Sequence, residues 1–309
     1  MSNPRKVILV TRQTRLQALL EQHHTLGQAT FYLEHLGASM ADYVQENDAY
    51  AASLKGVMET LQAWGRYQVL DRAHLPNFLF AADDIVVTLG QDGLVANTMK
   101  YLSGQPLVGL NPEPRRWDGV LLPFDAAQLA SVLPAVAQDR RPASAVTLAE
   151  VVLSDGQVLR AVNDLFIGPR SHTSALYDIE YRQQTERQSS SGLIVATGLG
   201  STAWMKSVVT GSLGIAQAVG GGASAEVYRP TPWDADHLLF AVREPFGSRQ
   251  SGTQLVYGRI EANESVLLRS RMAEGGIIFS DGMEADHLQF SVGMEARIGV
   301  CAQQGWLVQ

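Results

Sequence analysis

Residues 82–124 read ADDIVVTLGQDGLVANTMKYLSGQPLVGLNPEPRRWDGVLLPF. An apolar run, Asp84 to Leu89, stops at Gly90-Gln91-Asp92-Gly93. An amphipathic segment, Leu94 to Leu102, comes next, and a second apolar run, Pro106 to Leu110, ends at Asn111-Pro112. That order is strand, tight turn, helix, strand, the unit from which parallel α/β sheets are built. Open parallel sheets bind ligands at the carboxyl ends of their strands, and helix N-termini there receive phosphate. Asp92 places a carboxylate where the strand ends and the helix begins. By itself an Asp-Gly after a strand is a turn. For chemistry, the glycines let backbone N–H groups approach phosphate oxygens, and the carboxylate can accept a proton or hold Mg²⁺. No G-x-x-x-x-G-K-[ST] occurs and no G-x-G-x-x-G opens a strand-helix unit, which argues against a P-loop NTPase and an ordinary Rossmann dehydrogenase.

Outward from this segment the alternation continues. Lys6 to Thr11 is a β-branched run that reads as a buried parallel strand. Helices are expected over Leu16–His23, Thr30–Leu36 and Ala49–Tyr67, and a strand over Val120–Pro123. Asp125 is the expected N-cap of a helix running to Gln138. After Arg140-Arg141-Pro142 the character changes. Thr147–Leu153, the turn Ser154-Asp155-Gly156 and Val158–Ile167 read as a hairpin. Strands are also expected over Ser174–Tyr181, Leu255–Ile260, Ser265–Arg269, Gly276–Ser280 and Leu288–Ser291, with a turn at Asp281-Gly282. One helix, Ser201–Ala218, is expected in this half, and Gly220–Gly222 with Pro230 and Pro232 reads as a loop. The expected organisation is an α/β domain with a parallel sheet over residues 1–140 and a β-rich domain over residues 141–309.

The bulk composition narrows the function classes. At 309 residues, 46% hydrophobic and 18% charged, the chain has the make-up of a globular protein. A net charge of -7 argues against a nucleic-acid surface. The single cysteine, Cys301, excludes an internal disulfide and a cysteine-based zinc site. No apolar run approaches the roughly 20 residues that span a bilayer. The short apolar run in residues 1–15 is flanked by charge and reads as a strand rather than a signal peptide. A cytoplasmic protein is expected, without nucleic-acid or membrane partners.

Two further segments carry candidate chemistry. In Ala161–Gly168 the pair Asn163-Asp164 interrupts an apolar run, although both residue types are depleted in strands. A bulge or turn explains this structurally. Functionally, an amide beside a carboxylate can hydrogen-bond ribose hydroxyls or a base edge. In Ser189–Trp204 a strand passes through Thr197-Gly198-Leu199-Gly200-Ser201 into a helix. Ser201 or Thr202 can cap that helix, Thr197 and Ser201 add hydroxyls, and Trp204 adds an aromatic face.

Taken in order, the three segments resemble the NAD kinase family, of the superfamily that also holds the diacylglycerol kinases. Gly90, Asp92 and Gly93 match its G-G-D-G loop. Asn163-Asp164 matches its asparagine-acid pair, with Asp in place of Glu. Thr197, Gly200, Ser201, Ala203 and Trp204 match its T-x-x-G-S-x-A-[YW] turn. Val108–Arg116 and Ser190-Ser191-Gly192-Leu193 are similar to the branch with the animal mitochondrial enzymes, and Ser280-Asp281-Gly282 adds weaker support.

The resemblance implies a two-domain fold and transfer of the terminal phosphoryl of ATP, with Mg²⁺, to the 2′-hydroxyl of the adenosine ribose of NAD, giving NADP. Some members use polyphosphate. It implies that Asp92 orients or deprotonates the 2′-hydroxyl and that Gly90 and Gly93 lie against phosphates. It also implies that Asn163 and Asp164 bind ribose and base. Thr197, Ser201 and Ala203 would line the adenosine pocket beside Trp204. A homo-oligomer, a dimer foremost, is implied as well. The chain departs from the pattern at Gln91, Leu94 and Leu199. Gln91 stands where a second glycine is usual, and if that position has φ > 0 it costs on the order of 1 kcal/mol. These departures leave open a weakened NAD- or nucleotide-binding protein, or a kinase of a sugar or lipid hydroxyl. Arg115-Arg116 and His172 are secondary candidates. His23-His24 reads as a helix end.

Overall fold

The computed structural model describes residues 4–221 and 228–309. It divides into two compact units. One comprises Met1–Ser144 with Trp306–Gln309, the other Ala145–Gly305.

The first unit contains β1 (Val7–Thr11), α1 (Arg15–His23), α2 (Leu26–His35), α3 (Met40–Trp64), β2 (Tyr67–Asp71), β3 (Ile85–Leu89), α4 (Asp92–Met99), β4 (Pro106–Asn111), β5 (Phe124–Asp125) and α5 (Leu129–Ala137). Its strands pair in parallel in the order β2-β1-β3-β4-β5. Strands buried on both faces read as continuous apolar runs rather than alternating ones. Accordingly Val7–Val10 and Ile85–Leu89 are wholly inaccessible to solvent. Helices α3 and α5 cover one face, packing Tyr50, Val57, Leu61, Leu129, Val132 and Val136 against Val7, Leu9, Ile85, Val87 and Leu89.

This order reverses direction between β1 and β3, which makes their carboxyl ends the topological switch point where such sheets take ligands. Arg12 comes directly after β1 there, and Gly90-Gln91-Asp92 directly after β3.

Helix α3 starts at Met40, well before the Ala49 expected from the pattern. Its buried stripe runs Glu46, Tyr50, Val57 and Leu61, so a buried carboxylate breaks the apolar periodicity where the helix begins its core face. Residues 120–123 form a turn, and the expected strand there is displaced to the two residues of β5. Asp125 does act as an N-cap. It forms a capping box with Gln128 that opens a short 3₁₀ turn before α5.

The second unit is built from β6 (Ala143–Leu153, of which it holds Ala145 onward), β7 (Val158–Ala161), β8 (Asp164–Pro169), β9 (Ala175–Tyr181), β10 (Gln184–Ser190), β11 (Leu193–Ala196), α6 (Trp204–Ala218), β12 (His237–Val242), β13 (Tyr257–Glu261), β14 (Val266–Ser270), β15 (Gly276–Ser280), β16 (Met283–Gln289) and β17 (Glu295–Val308, of which it holds the part up to Gly305). An antiparallel sheet runs β13-β12-β11-β8-β15-β16. A second antiparallel array runs β10-β9-β14-β17, with the β6–β7 hairpin paired to β17. One core draws on both: Leu165, Ile167, Val195, Phe240 and Ile278 meet Tyr177, Ile179, Leu268 and Ile298.

Strand alternation puts the other residues of β8 on the opposite face. There Phe166 packs with Ile194, Ala196, Leu239, Ala241 and Met205 of α6, and Asp164 lies two residues from Phe166 on that same face. The pattern hides some of these strands. Gln184–Ser190 is polar throughout, yet it pairs along its whole length with β9 and buries Gln188 and Ser190. Of the glycine-rich loop expected after α6, residues 222–227 lie outside the described residues.

Candidate functional site

The site in the first unit is the switch-point loop. Gln91 is the N-cap of α4 with φ −110° and ψ 167°. That is ordinary extended backbone, so the position does not need a glycine and the strain anticipated for Gln91 is not present. Its side chain makes no capping hydrogen bond. Asp92, at the first helical position, is half-buried. Its Oδ1 accepts from the Leu121 amide at 2.8 Å, and its Oδ2 accepts no hydrogen bond from any described residue. The carboxylate is thus held through one oxygen. It also sits in the first turn of α4, where the helix dipole favours negative charge.

The two glycines differ. A Cβ on Gly90 would meet Leu94 Cδ2 at 2.8 Å and Arg12 Nε at 3.4 Å, whereas one on Gly93 would meet nothing within 4 Å. Gly90 is small because the fold packs against it. Gly93 is exposed, and its missing side chain serves no contact with any described residue. Leu94, in the place of a hydroxyl residue, is buried under Gly90.

Arg12 is a residue that no sequence pattern singled out. Its guanidinium donates to Glu46 at 3.0 Å, stacks over the Tyr50 ring and leaves Nε buried without a hydrogen-bond partner among the described residues. Tyr50 accepts from the Arg12 amide and donates to the Leu89 carbonyl, tying the ends of β1 and β3 together. The available signal was a cation directly after a buried parallel strand. Of the paired arginines, Arg116 is engaged with Asp42 and Glu113, while Arg115 is exposed.

The site in the second unit is the bend between β7 and β8. Here the backbone polar groups of Val162, Asn163 and Asp164 find partners, as buried ones must. The Asp281 carboxylate accepts from the amides of Val162 at 3.1 Å, Asn163 at 2.6 Å and Asp164 at 3.4 Å. The Asp281 amide donates to the Asp164 carbonyl at 3.0 Å. On the other side Thr197 Oγ1 donates to the Val162 carbonyl at 2.5 Å, and the Thr197 amide donates to the Asn163 carbonyl at 2.9 Å. With the backbone satisfied, the side chains of Asn163 and Asp164 make no hydrogen bond with any described residue. Asp164 is only 5% exposed. Burial, with the Asp281 carboxylate nearby, pushes its carboxyl up to about 7.

The strand-to-helix turn is organised around the same bend. A Cβ on Gly200 would lie 1.9 Å from the Asn163 carbonyl oxygen, so only glycine lets the turn press against it. Thr197 Oγ1 also accepts from the Gly200 amide at 3.1 Å. Ser201 was expected as a cap; instead Gly200–Thr202 forms a 3₁₀ turn, α6 begins at Trp204, and Ala203 caps it without a side-chain bond. Ser201 Oγ donates to the Gly198 carbonyl at 2.6 Å and accepts from the Thr231 amide at 2.9 Å. The hydroxyls of Thr197 and Ser201 are therefore engaged in shaping the turn. Ala203 is exposed. Trp204 stacks on Phe166 with centroids 5.5 Å apart, and Arg243 lies over the Trp204 ring at 5.4 Å. Phe166, Arg243 and Asp281 join the candidate residues from the structure; of these only Asp281 left a trace in the sequence, as half of a turn. His172 is exposed, and His23 packs on Tyr32.

No protein-family model matches the chain. It is similar to a probable NADH kinase of Oryza sativa subsp. japonica, 26% identical over 228 residues. That alignment covers 66% of this chain and 64% of the rice protein, so the match spans just under two thirds of the relative's length. In fold it is similar to yeast NADH kinase, crystallised with NADH, with a TM-score of 0.59 and 15% identity over 99% of this chain and 84% of the yeast chain. It is likewise similar to the NAD kinase of Archaeoglobus fulgidus, crystallised with ATP, with a TM-score of 0.56 and 15% identity over 98% of this chain and 93% of the archaeal one. The chain thus shares the fold of these two enzymes and is similar in sequence to the rice protein.

Proposed function

We propose that the protein transfers the terminal phosphoryl group of ATP to the 2′-hydroxyl of the adenosine ribose of NAD or NADH, releasing ADP and forming NADP or NADPH. The observation that carries this reading is Asp92: a carboxylate at a topological switch point, fixed through Oδ1 and unengaged at Oδ2 among the described residues. In the reaction an oxygen–phosphorus bond forms at the 2′-oxygen as the bond from the terminal phosphorus to its bridging oxygen breaks. The hydroxyl proton needs an acceptor, and Asp92 is that base. Phosphoryl transfer otherwise relies on positioning and on neutralising charge. Gly93 and the open N-terminus of α4 give phosphates room and backbone donors. Asn163 and Asp164 are the ribose- and base-binding pair, and Ala203 and Trp204 line the adenosine site that Thr197 and Ser201 shape.

Among the described residues no group of three or more His, Cys, Asp or Glu is arranged to hold a metal ion. Mg²⁺ needs no such cage, because it is commonly bound by one or two carboxylates together with substrate phosphates; here it belongs to the ATP substrate. No described helix is long and apolar enough to cross a membrane. Cytoplasmic placement and a homodimer are part of the same reading.

The test is direct. The purified protein is incubated with Mg²⁺, ATP and either NAD or NADH, and product is detected with a dehydrogenase specific for the phosphorylated cofactor. Product in either arm is the expected result. Absence of product in both, with NAD still raising the melting temperature, would leave a nucleotide-binding protein instead.

A further inference from the structure

Asp281 has no part in the proposed chemistry, yet its carboxylate is bonded to three consecutive residues of the Asn163–Asp164 bend. It sits in the two-residue turn between β15 and β16, where Ser280 pairs with Met283. Both turn residues have positive φ, 54° at Asp281 and 69° at Gly282, the combination a tight hairpin of this kind demands. Asp is among the few residues other than glycine that adopt it readily. The turn alone would be served equally by Asn-Gly. The carboxylate needs another reason, and the amides of Val162, Asn163 and Asp164 supply it. Successive N–H groups converging on an anion form a nest, here filled by a side chain from within the same unit.

We infer that Asp281 is a positioning residue for the nucleotide acceptor, holding the β7–β8 bend so that the side chains of Asn163 and Asp164 stay free for the ligand. The inference rests on the kinase reading for the ligand but not for the clamp itself. Without the carboxylate, three amides lose their acceptor, and the bend can recover them only by turning or by recruiting the Asn163 or Asp164 side chain. Either change removes the groups that would meet ribose and base. Asp281 also faces Asp164 electrostatically. Across the sheet, Asp164 is opposite Ala196 of β11, which Thr197 succeeds, and on the other side Ser280 of β15 is opposite Leu165. The ionisable neighbour acting on Asp164 is Asp281.

The test uses the full chain and Asp281→Gly, which suits the positive φ of the turn and removes the oxygens that accept the three amides. In the ligand-free protein, carboxyl-carbon NMR tracks the titration of Asp164, and amide shifts report Val162–Asp164. In parallel, NAD affinity is measured by calorimetry from pH 6 to 8, with KM and kcat for NAD. Expected results are a cooperative melt, displaced amide shifts and an Asp164 midpoint moved to lower pH. NAD affinity should weaken by about tenfold or more, as expected for misplaced binding groups, with kcat much less affected. A variant that only destabilises the fold, with the Asp164 midpoint and NAD affinity unmoved, would overturn the inference. Failure of the wild type to bind NAD would sink the kinase reading, while the ligand-free titration would still decide the role of Asp281.

Discussion

Glu46 accepts a hydrogen bond from Arg12 at 3.0 Å although their side chains are only 2% and 10% exposed. The same carboxylate also pairs with Arg15. The pair joins α3 to the residue just after β1, at the edge of the switch point. Breaking a buried pair from one side leaves an uncompensated charge. Glu46→Ala should therefore cost about 3–5 kcal/mol in urea unfolding at pH 7, and Glu46→Gln less. Burial opposes ionisation of Glu46, but hydrogen bonds from Arg15 and Arg12 outweigh it and hold its carboxyl below the usual range. A lowered folded value means that the stabilisation is present above the ordinary carboxylate pKa and fades as pH falls through the folded one. The gap between wild type and Glu46→Gln should consequently close in acid; a gap that persists unchanged at about pH 2, below the ordinary carboxylate range, would refute the ionic account.

Asp164 gives the opposite sign. In the folded protein its carboxyl keeps its proton up to about 7, whereas the ordinary value is 3.8. Between these values the folded state binds more protons than the unfolded chain, so stability falls as pH rises through that window. Above it the full cost of a buried charge is carried. Asp164→Asn should raise unfolding free energy at pH 8 by roughly 2–4 kcal/mol, with the gain gone near pH 4. The same variant should bind NAD more weakly, the trade of stability for function common at sites. Equal stability of the two proteins at pH 8 would show that Asp164 is not held in this way.

The sites differ in how much of them the sequence discloses. Residues 82–111 disclose the first because local rules govern it: an apolar run, a turn and an amphipathic segment each fold as their pattern dictates. The parallel sheet order and Arg12 do not appear there, because they depend on which strand lands beside which. In the second unit Asn163-Asp164 stands out as polar residues in an apolar run. The reason they are tolerated lies at Asp281 and Thr197, 118 and 34 residues from Asn163, beyond any local pattern. Thr197 and Ser201 were legible as hydroxyls at a turn, but nothing local reveals that their hydrogen bonds close within the fold. Glu46 obscured the start of α3 for the same reason, since its partners are set by tertiary packing.

Gly90 and Gly93 separate packing from ligand contact. Gly90→Ala drives its Cβ into Leu94 Cδ2 and should cost about 1–3 kcal/mol as overpacking. Gly93→Ala meets no described atom within 4 Å and lies in the first turn of α4, so stability should hold or rise by up to ~1 kcal/mol. If this loop receives the phosphates of ATP as proposed, the KM for ATP should nevertheless rise severalfold. Unchanged ATP kinetics in Gly93→Ala would remove that loop from the donor site.

Gln91 raises a related question with a different answer. Its extended backbone means that Gln91→Gly relieves no strain. The glycine only loosens the unfolded chain, and stability should drop by about 0.4–1 kcal/mol. A variant more stable than wild type by thermal unfolding would show that Gln91 is strained after all.

Asp92→Asn isolates the chemical step. The amide oxygen can keep the 2.8 Å bond from the Leu121 amide, so the turn and α4 should persist and the melting temperature should change little. What is lost is the basic oxygen. If Asp92 takes the proton from the 2′-hydroxyl, kcat should fall by about 10²–10⁴-fold, while calorimetric affinities for NAD and ATP stay within a few fold. A variant that binds both nucleotides and still turns over near the wild-type rate would exclude Asp92 as the base. Weakened ATP binding with kcat preserved would instead assign the carboxylate to the metal-nucleotide, because loss of ground-state affinity raises KM without touching the chemical step.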